Sequence, residues 1–187
     1  MMGLNCCIFA TGESVNKEIC DAAMDSEFNF KIAVNNAFTL SDKFDYLVAA
    51  DRKWWDVYYS DVPKSIKKYS VCNPHTIDIE KLKGIYFQQG LNSALHACIF
   101  AVEYLKVEEI FLFGVDMGGS HFFGEYSDGL NNTNQMRYET FKKQFETMNN
   151  SFFKQRGVKI YNCSEKSSLE TFEKIKWHKT TISPVKV

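Results

Sequence analysis

An acidic residue, two glycines and a histidine follow the most apolar segment of the sequence. Asp116 comes directly after the run 110–115, which contains no polar residue, and Gly118 and Gly119 separate it from His121. Glycines allow a tight or mobile loop, and an imidazole that titrates near neutral pH can act as a general base. Asp116 and His121 are therefore the predicted catalytic residues, although Asp116 could instead cap the loop and His121 could lie on the surface.

Small polar residues and glycines also follow the other predicted strands, at Gly12 and Ser14, at Asn35 and Asn36, at Asp51, and at Gln89 and Gly90. Ligands of an open parallel α/β sheet bind outside the carboxyl ends of its strands, where backbone N–H groups and helix N-termini can hold an anion. We therefore expect these seven residues to meet along one edge of the sheet and to form a cradle for phosphate.

Several of these positions also have a purely structural interpretation. The Thr-Gly-Glu-Ser turn can be an ordinary glycine turn in which Ser14 caps a helix that runs to about Met24. Asn35 and Asn36 suit a simple turn because asparagine tolerates the left-handed region, whereas their amides also suit a base or a sugar. Asp51 either caps the helix that follows it or faces the ligand.

Apolar runs alternate with helical patterns along the chain, which is typical of an α/β domain with a mostly parallel sheet. Strands are predicted at 4–10, 30–34, 46–50, 69–72, 85–87, 110–115 and 158–161. Helices are predicted at 14–24, after Asp51, at 92–104 with Asn92 or Ser93 as the cap, at 138–155 and at 168–175, with a helical turn near 77–82. We expect one Rossmann-like domain over residues 1–176, with helices on both faces of the sheet, and a C-terminal tail over 177–187.

The composition excludes several classes of protein. Twenty-two basic and 23 acidic residues give a formal charge of -1, which is not the basic excess of a general nucleic-acid-binding surface. The cysteines form no CxxC pair, and there is no signal sequence or long apolar stretch, so we expect a reduced, cytoplasmic protein without a membrane span. The sequence contains no GxGxxG fingerprint, P-loop or GxSxG elbow. No close spacing of Asp51, Asp116 and His121 favours a metal site.

Five segments carry a family resemblance: ATGESVNK, IAVNNAF, YLVAAD, QQGLNSALHACIFAVEYLKVEEIFLFGVDM and GVKIYNCSEKSSLETF. Together they resemble the family 42 sialyltransferases and related small phage proteins described as glycosyltransferase-like, in the same order and over most of the chain. The nucleotide-binding fold is also similar to that of the archaeal-type hydroxymethylpterin pyrophosphokinases, which use ATP. The resemblance to sialyltransferases implies that Gly12 and Ser14, Asn35, and Gln89 with Gly90 hold a cytidine nucleotide.

The chain differs from the sialyltransferases at two places. Glu13 stands where the first turn of the family has proline, and the segment DGLNNTNQMRYETF has no histidine where the family has its catalytic one. His121 is the one histidine close enough in sequence to substitute, and Tyr126 or Tyr138 could assist a leaving phosphate by hydrogen bonding. The segment between the central strand and the long helix is shorter than in the family, which suggests a smaller acceptor or a site completed by a second copy of the chain.

The sequence therefore favours a transferase of phage or bacterial origin that moves a sugar from a nucleotide donor to an unidentified acceptor. It would need no cofactor, and His121 or Asp116 would activate the acceptor hydroxyl. One alternative is an ATP-dependent pyrophosphokinase or phosphoryl transferase in which Asp51 and Asp116 help to place Mg²⁺. Another is a binding protein that keeps the nucleotide pocket without catalysis and sequesters a nucleotide.

Overall fold

The core of the protein is one parallel β-sheet. The computed structural model describes residues 3–73, 76, 78–88, 90–126 and 129–177. The strands in this part of the chain are β1 (Asn5–Phe9), β2 (Phe30–Val34), β3 (Tyr46–Val48), β4 (Lys67–Ser70), β5 (Ile79–Lys81), β6 (Glu109–Phe113), β7 (Lys159–Asn162) and β8 (Glu173–Lys174). They form one open sheet in the order β5-β4-β3-β2-β1-β6-β7-β8, and every neighbouring pair is parallel.

Helices connect most of the strands. The α-helices of the described residues are α1 (Lys17–Met24), α2 (Arg52–Tyr58), α3 (Ser93–Glu103) and α4 (Gln135–Met148). Short 3-10 turns occupy Asn35–Leu40, Tyr59–Asp61 and Lys154–Arg156, and a π-helical turn extends α4 over Asn149–Phe153. The side chains that cap the four α-helices are those of Asn16, Asp51, Asn92 and Asn134. The caps predicted at Asp51 and Asn92 are confirmed.

Both faces of the sheet are covered by helices. Cys6 and Ile8 of β1 belong to one hydrophobic cluster and Cys7 and Phe9 to another, because successive side chains of a strand point to opposite faces. Helix α3 packs on the first face, where every residue from 94 to 102 is buried. Helices α1 and α2 pack on the second face. The predicted single α/β domain with a parallel sheet and helices on both faces is confirmed.

One edge strand lies at a different place from the predicted one. The prediction put a strand at 85–87 and a helical turn near 77–82, whereas β5 runs from Ile79 to Lys81. Only Ile79 of this strand is buried, so a short edge strand leaves almost no apolar pattern in the sequence. Gly84 has a φ of 133°, and its carbonyl oxygen accepts a hydrogen bond from the Phe87 N–H at 3.2 Å. Residues 84–87 therefore form a turn.

The helix predicted over 168–175 is also wrong, since this segment is not helical and contains β8. Serine side chains hold it against the loop that follows β6. The Ser167 hydroxyl donates to the Val115 carbonyl oxygen at 2.7 Å, and the Ser168 hydroxyl donates to the Met117 carbonyl oxygen at 2.7 Å. Side chains that bind backbone groups in this way compete with helix formation.

Three further predictions concern the C-terminal tail, the cysteines and a membrane span. Trp177, which the prediction assigned to the tail, packs against Phe113 with 5.4 Å between the ring centroids, and the rest of the predicted tail, 178–187, lies outside the described residues. All six cysteines are free thiols. Within the described part of the chain, no helix has the length and apolar composition that a membrane span requires.

The strand order changes direction between β1 and β6. The chain passes from β1 outward to β5, and α3 then returns it to the opposite side of β1. At such a point the loops after two adjacent strands diverge and leave a crevice at the carboxyl edge of the sheet. Gly12 lies in the loop after β1 and Asp116 in the loop after β6, so the topology itself brings these two residues together.

Candidate functional site

A cleft of about 360 Å³ opens at the carboxyl edge of the sheet, where β1 and β6 end. The predicted site residues that line it are Gly12, Asn35, Asp51, Gly90, Asp116 and His121. Ser14 and Asn36 do not line the cleft, and Gln89 lies outside the described residues. The expectation that chain segments near positions 12, 35, 90 and 116 meet at one edge is confirmed.

Asp116 holds the first turn of the chain against the end of β6. Its carboxylate accepts hydrogen bonds from the Ser14 backbone N–H at 2.8 Å and from the Ser14 hydroxyl at 2.5 Å, and the residue is only 5% exposed. Gly12 makes this approach possible, because a Cβ atom there would lie 2.6 Å from the Gly114 carbonyl oxygen and against the Asp116 carboxylate. The prediction that Ser14 caps α1 is wrong, since Asn16 caps that helix.

His121 lies in a hairpin that folds onto the end of β1. Gly12 and His121 form an antiparallel bridge, and the Phe122 N–H donates to the Thr11 carbonyl oxygen at 3.0 Å. The Nδ1 atom of His121 lies 2.9 Å from the Thr11 hydroxyl oxygen. Burial lowers the pKa of the imidazole below its ordinary value, and hydrogen bonding to the Thr11 backbone opposes this in part. A neutral ring at pH 7 is the form that accepts a proton.

Asn36 does not line the cleft, but its side chain binds two residues that do. Its Oδ1 atom accepts hydrogen bonds from the Trp54 indole N–H at 2.6 Å and from the Tyr126 hydroxyl at 3.3 Å. Trp54 and Tyr126 both line the cleft. Asn36 therefore connects the end of β2, helix α2 and the loop that follows β6. Its side-chain Oδ1 atom already accepts two hydrogen bonds.

Two other amides at the cleft keep polar atoms without a partner in the described part of the chain. Asn35 has a φ of 49°, in the left-handed region that asparagine tolerates, and its buried Oδ1 accepts no hydrogen bond. The Nδ2 group of Asn92 is likewise buried and unpaired, although the Oδ1 atom of the same residue caps α3. A buried polar atom without a partner costs free energy, and both residues line the cleft.

Asp51 and Gly90 occupy the side of the cleft formed by α2 and α3. The Asp51 carboxylate accepts a hydrogen bond from the Lys53 backbone N–H at 2.8 Å, which confirms its role as a cap while it also lines the cleft. Gly90 has a φ of 92°, and its carbonyl oxygen accepts a hydrogen bond from the Gln144 side chain at 3.1 Å. The turn before α3 is thereby tied to α4.

The start of α4 supplies a cation that the sequence analysis missed. Helix α4 begins three residues before its predicted start at Tyr138, so that Arg137 and Tyr138 both lie in its first turn and line the cleft. Burial and the neighbouring Asp116 carboxylate raise the pKa of the Tyr138 hydroxyl. The Asn134 side chain accepts a hydrogen bond from the Arg137 N–H at 3.0 Å, and asparagine, a common N-cap, is the signal that could have located this helix start.

Carboxylates and imidazoles are not clustered as metal ligands in the described residues. No group of three or more His, Cys, Asp or Glu side chains in this part of the chain could hold a metal ion. Asp51 and Asp116 line the same cleft, and each carboxylate already accepts a backbone N–H.

Solved structures of glycosyltransferases share the fold, whereas no protein-family model and no curated protein matches the chain. The MAf glycosyltransferase from Magnetospirillum magneticum AMB-1 matches with a TM-score of 0.67 at 13% sequence identity. The match covers 94% of this chain and 34% of that chain. This chain therefore spans about a third of the length of the Magnetospirillum protein.

Two sialyltransferase structures match over nearly their whole length. The sialyltransferase CST-II in complex with trisaccharide acceptor and CMP has a TM-score of 0.57 at 15% identity, and the match covers 91% of this chain and 85% of that one. CstII from Campylobacter jejuni in complex with the substrate analogue CMP-3FNeuAc has a TM-score of 0.58 at 16% identity, with 93% and 86% covered. The chain has a sialyltransferase-like fold. The resemblance stated from the sequence segments is thus confirmed at the level of the fold.

Proposed function

We propose that the chain is a nucleotide-dependent transferase of the sialyltransferase type, which binds a nucleotide-activated sugar in the cleft and transfers the sugar to an acceptor hydroxyl. The observation that carries the proposal is the cleft itself, which collects the residues after β1, β2, β3 and β6 at the carboxyl edge of a parallel sheet. A protein of similar fold, CST-II, has been solved in complex with CMP and a trisaccharide acceptor, which supports a sugar nucleotide as the donor.

The side chains of the cleft suit the parts of such a donor. The unpaired Oδ1 of Asn35 and Nδ2 of Asn92 would pair with the polar edge of a base or with ribose. Arg137 would form a charge-assisted hydrogen bond with a phosphate oxygen. Glu13, which stands where sialyltransferases have proline, accepts a hydrogen bond from the Ser120 hydroxyl at 3.4 Å and does not line the cleft.

In the reaction we propose, neutral His121 takes the proton of the acceptor hydroxyl while that oxygen attacks the anomeric carbon of the sugar. The bond between that carbon and the phosphate oxygen breaks, and the nucleotide leaves with the bonding electrons. Arg137 would balance the charge that develops on the phosphate. Asp116 is committed to two hydrogen bonds from Ser14, so its role in this scheme is to position the first turn.

Calorimetry with CMP, UDP, GDP, ADP and ATP, each with and without Mg²⁺, tests the binding step. We expect CMP to bind most tightly and without a requirement for Mg²⁺. Release of CMP from CMP-linked sialic acid, followed by chromatography, tests the chemical step, and we expect saccharide acceptors to accelerate it above the rate with water alone. If none of the nucleotides binds, the cleft is not a nucleotide site and the proposal is rejected.

Two other results would redirect the assignment. Mg²⁺-dependent ATP binding would favour a phosphoryl transferase, in which Asp51 and Asp116 place the metal ion. Tight nucleotide binding with no turnover of any activated donor would favour a protein that sequesters a nucleotide. The absence of a histidine from the segment 128–141 would then account for the missing turnover.

A further inference from the structure

The backbone holds His121 in one place. The His121 N–H donates to the Gly124 carbonyl oxygen at 3.3 Å, and the Gly124 N–H donates back to the His121 carbonyl oxygen at 2.9 Å. The Phe122 N–H, which donates to Thr11, joins this hairpin to the end of β1. The Cα position of His121 is therefore defined by main-chain hydrogen bonds on two sides.

Aromatic rings restrict the imidazole further. The ring of Phe123 lies parallel to it, with 5.0 Å between the centroids and 7° between the planes. The ring of Tyr126 meets it edge to face at 4.9 Å. These contacts limit tilting of the imidazole. They do not determine which ring nitrogen carries the proton, which depends on hydrogen bonding.

Thr11 is the hydrogen-bonding partner that distinguishes the two nitrogens. Its hydroxyl oxygen lies 2.9 Å from Nδ1, and Thr11 itself is only 8% exposed. The hydrogen bond between the His121 side chain and the Thr11 hydroxyl is at Nδ1, and His121 lines the cleft. A neutral imidazole has one donor and one acceptor nitrogen, and the partner of one nitrogen decides the state of the other.

We propose that Thr11 is a positioning residue for His121, whose Nδ1–H donates to the Thr11 hydroxyl so that the unprotonated Nε2 is available to the acceptor hydroxyl. This inference rests on the proposed function, because the lone pair on Nε2 matters only if His121 accepts a proton from substrate. Thr11 would not itself touch the reacting atoms. It would act by holding the tautomer that the reaction requires.

Nitrogen-15 NMR of the imidazoles at pH 7 tests the pairing without any substrate. In the full chain we expect His121 to be protonated mainly at Nδ1. Thr11→Val, which keeps the shape of the side chain and removes the hydroxyl, should shift the ring towards the Nε2–H tautomer, and Thr11→Ser should restore the original ratio. The imidazole of His96 provides an internal control, because it lies elsewhere in the fold and should give the same signals in all three proteins.

Transfer kinetics supply the second measurement. We expect Thr11→Val to lower kcat by about tenfold and Thr11→Ser to recover most of it, with the dissociation constant for CMP unchanged within about twofold in both variants. Protonation of His121 mainly at Nε2 in the unmodified chain, or a tautomer ratio and kcat that do not change in Thr11→Val, would overturn the inference. If the unmodified chain transfers no sugar but shows the expected tautomers, the proposed function fails and the Thr11–His121 pairing remains.

Discussion

His96 lies in the core of the protein and His121 lies at the cleft, so the two imidazoles have different surroundings. His96 is fully buried in α3, where its Nε2 atom lies 3.0 Å from the Gln88 carbonyl oxygen and its Nδ1 atom has no partner among the described residues. His121 is half-buried at the cleft, and its Nδ1 atom pairs with a hydroxyl.

The difference shows that a lowered pKa does not by itself identify a functional histidine. Burial lowers the pKa of His96 to about 4, and burial also lowers the pKa of His121. Both imidazoles are therefore neutral at pH 7, but only His121 lines the cleft and can reach a ligand. Access to the cleft, rather than the pKa shift, separates the two histidines.

The largest expected effect comes from removing the imidazole of His121. We expect His121→Gln to lower the rate of sugar transfer by about 10²–10⁴-fold, the usual contribution of a general base, because glutamine cannot accept the proton. Nucleotide affinity, measured by calorimetry, should stay within about threefold. His96→Gln is the matched control, and it should leave transfer per folded molecule unchanged. Equal losses in the two variants would remove the distinction between the regions.

Gly12→Ala should disturb the His121 region through packing alone. Because the added methyl group would meet the Gly114 carbonyl oxygen and the Asp116 carboxylate, we expect the free energy of unfolding to fall by about 3 kcal/mol. Urea unfolding measures this change. Gly118→Ala is the control, since a Cβ atom there has no heavy atom within 4 Å, and a similar loss in that variant would refute the explanation.

His96 should instead make the free energy of unfolding depend on pH. The pKa of His96 is about 4 in the folded chain and about 6.5 when unfolded, so the unfolded chain binds the proton more tightly. The contribution of His96 is therefore present above pH 6.5 and is lost as the pH falls towards 4. Between pH 7 and 4.5 this amounts to about 2 kcal/mol.

Urea unfolding of the unmodified chain and of His96→Gln at both pH values isolates this contribution, because the carboxylates titrate in both proteins. The glutamine variant should lose about 2 kcal/mol less than the unmodified chain over this range. Equal pH dependence in the two proteins would mean that protonation of His96 does not destabilise the fold.

Charge gives the smallest expected difference between the regions. Arg137 lines the same cleft as His121, whereas the His96 imidazole lies 3.0 Å from the Gln88 carbonyl oxygen and stacks with the Phe87 ring. Because Arg137 is exposed, we expect Arg137→Ala to weaken nucleotide binding by only about five- to tenfold, or about 1 kcal/mol. Lys143→Ala removes the same charge from an exposed position of α4 outside the cleft and should change affinity by less than twofold.

Strands and caps with strong local signals were predicted correctly. The apolar runs of β1, β2 and β6 mark strands buried on both faces, and Asp51 and Asn92 stand at helix starts where their side chains can accept backbone N–H groups. The strands β5 and β8 were missed because they are short edge strands with one buried residue or none. Such strands are held by pairing with a neighbour, which leaves no pattern of their own.

The carboxyl-edge location of the cleft followed from the sequence, but several contacts within it did not. One of the two interpretations of Ser14 was a cap of α1, because a serine near a helix start usually binds a local N–H group. It binds Asp116 instead, 102 positions away. Arg137 was missed because the apolar periodicity of α4 begins after the residues that form its first turn.

By itself, the sequence determined that strands and helices alternate and that glycines and polar residues follow the strands, because both features depend on local spacing and on side-chain type. Only the tertiary structure decided which polar groups meet, such as Thr11 with His121 or Ser14 with Asp116. Those pairs form because β1 and β6 are neighbours with their carboxyl ends at one edge. A hydrogen bond between residues more than 100 positions apart depends on that adjacency, which no local pattern encodes.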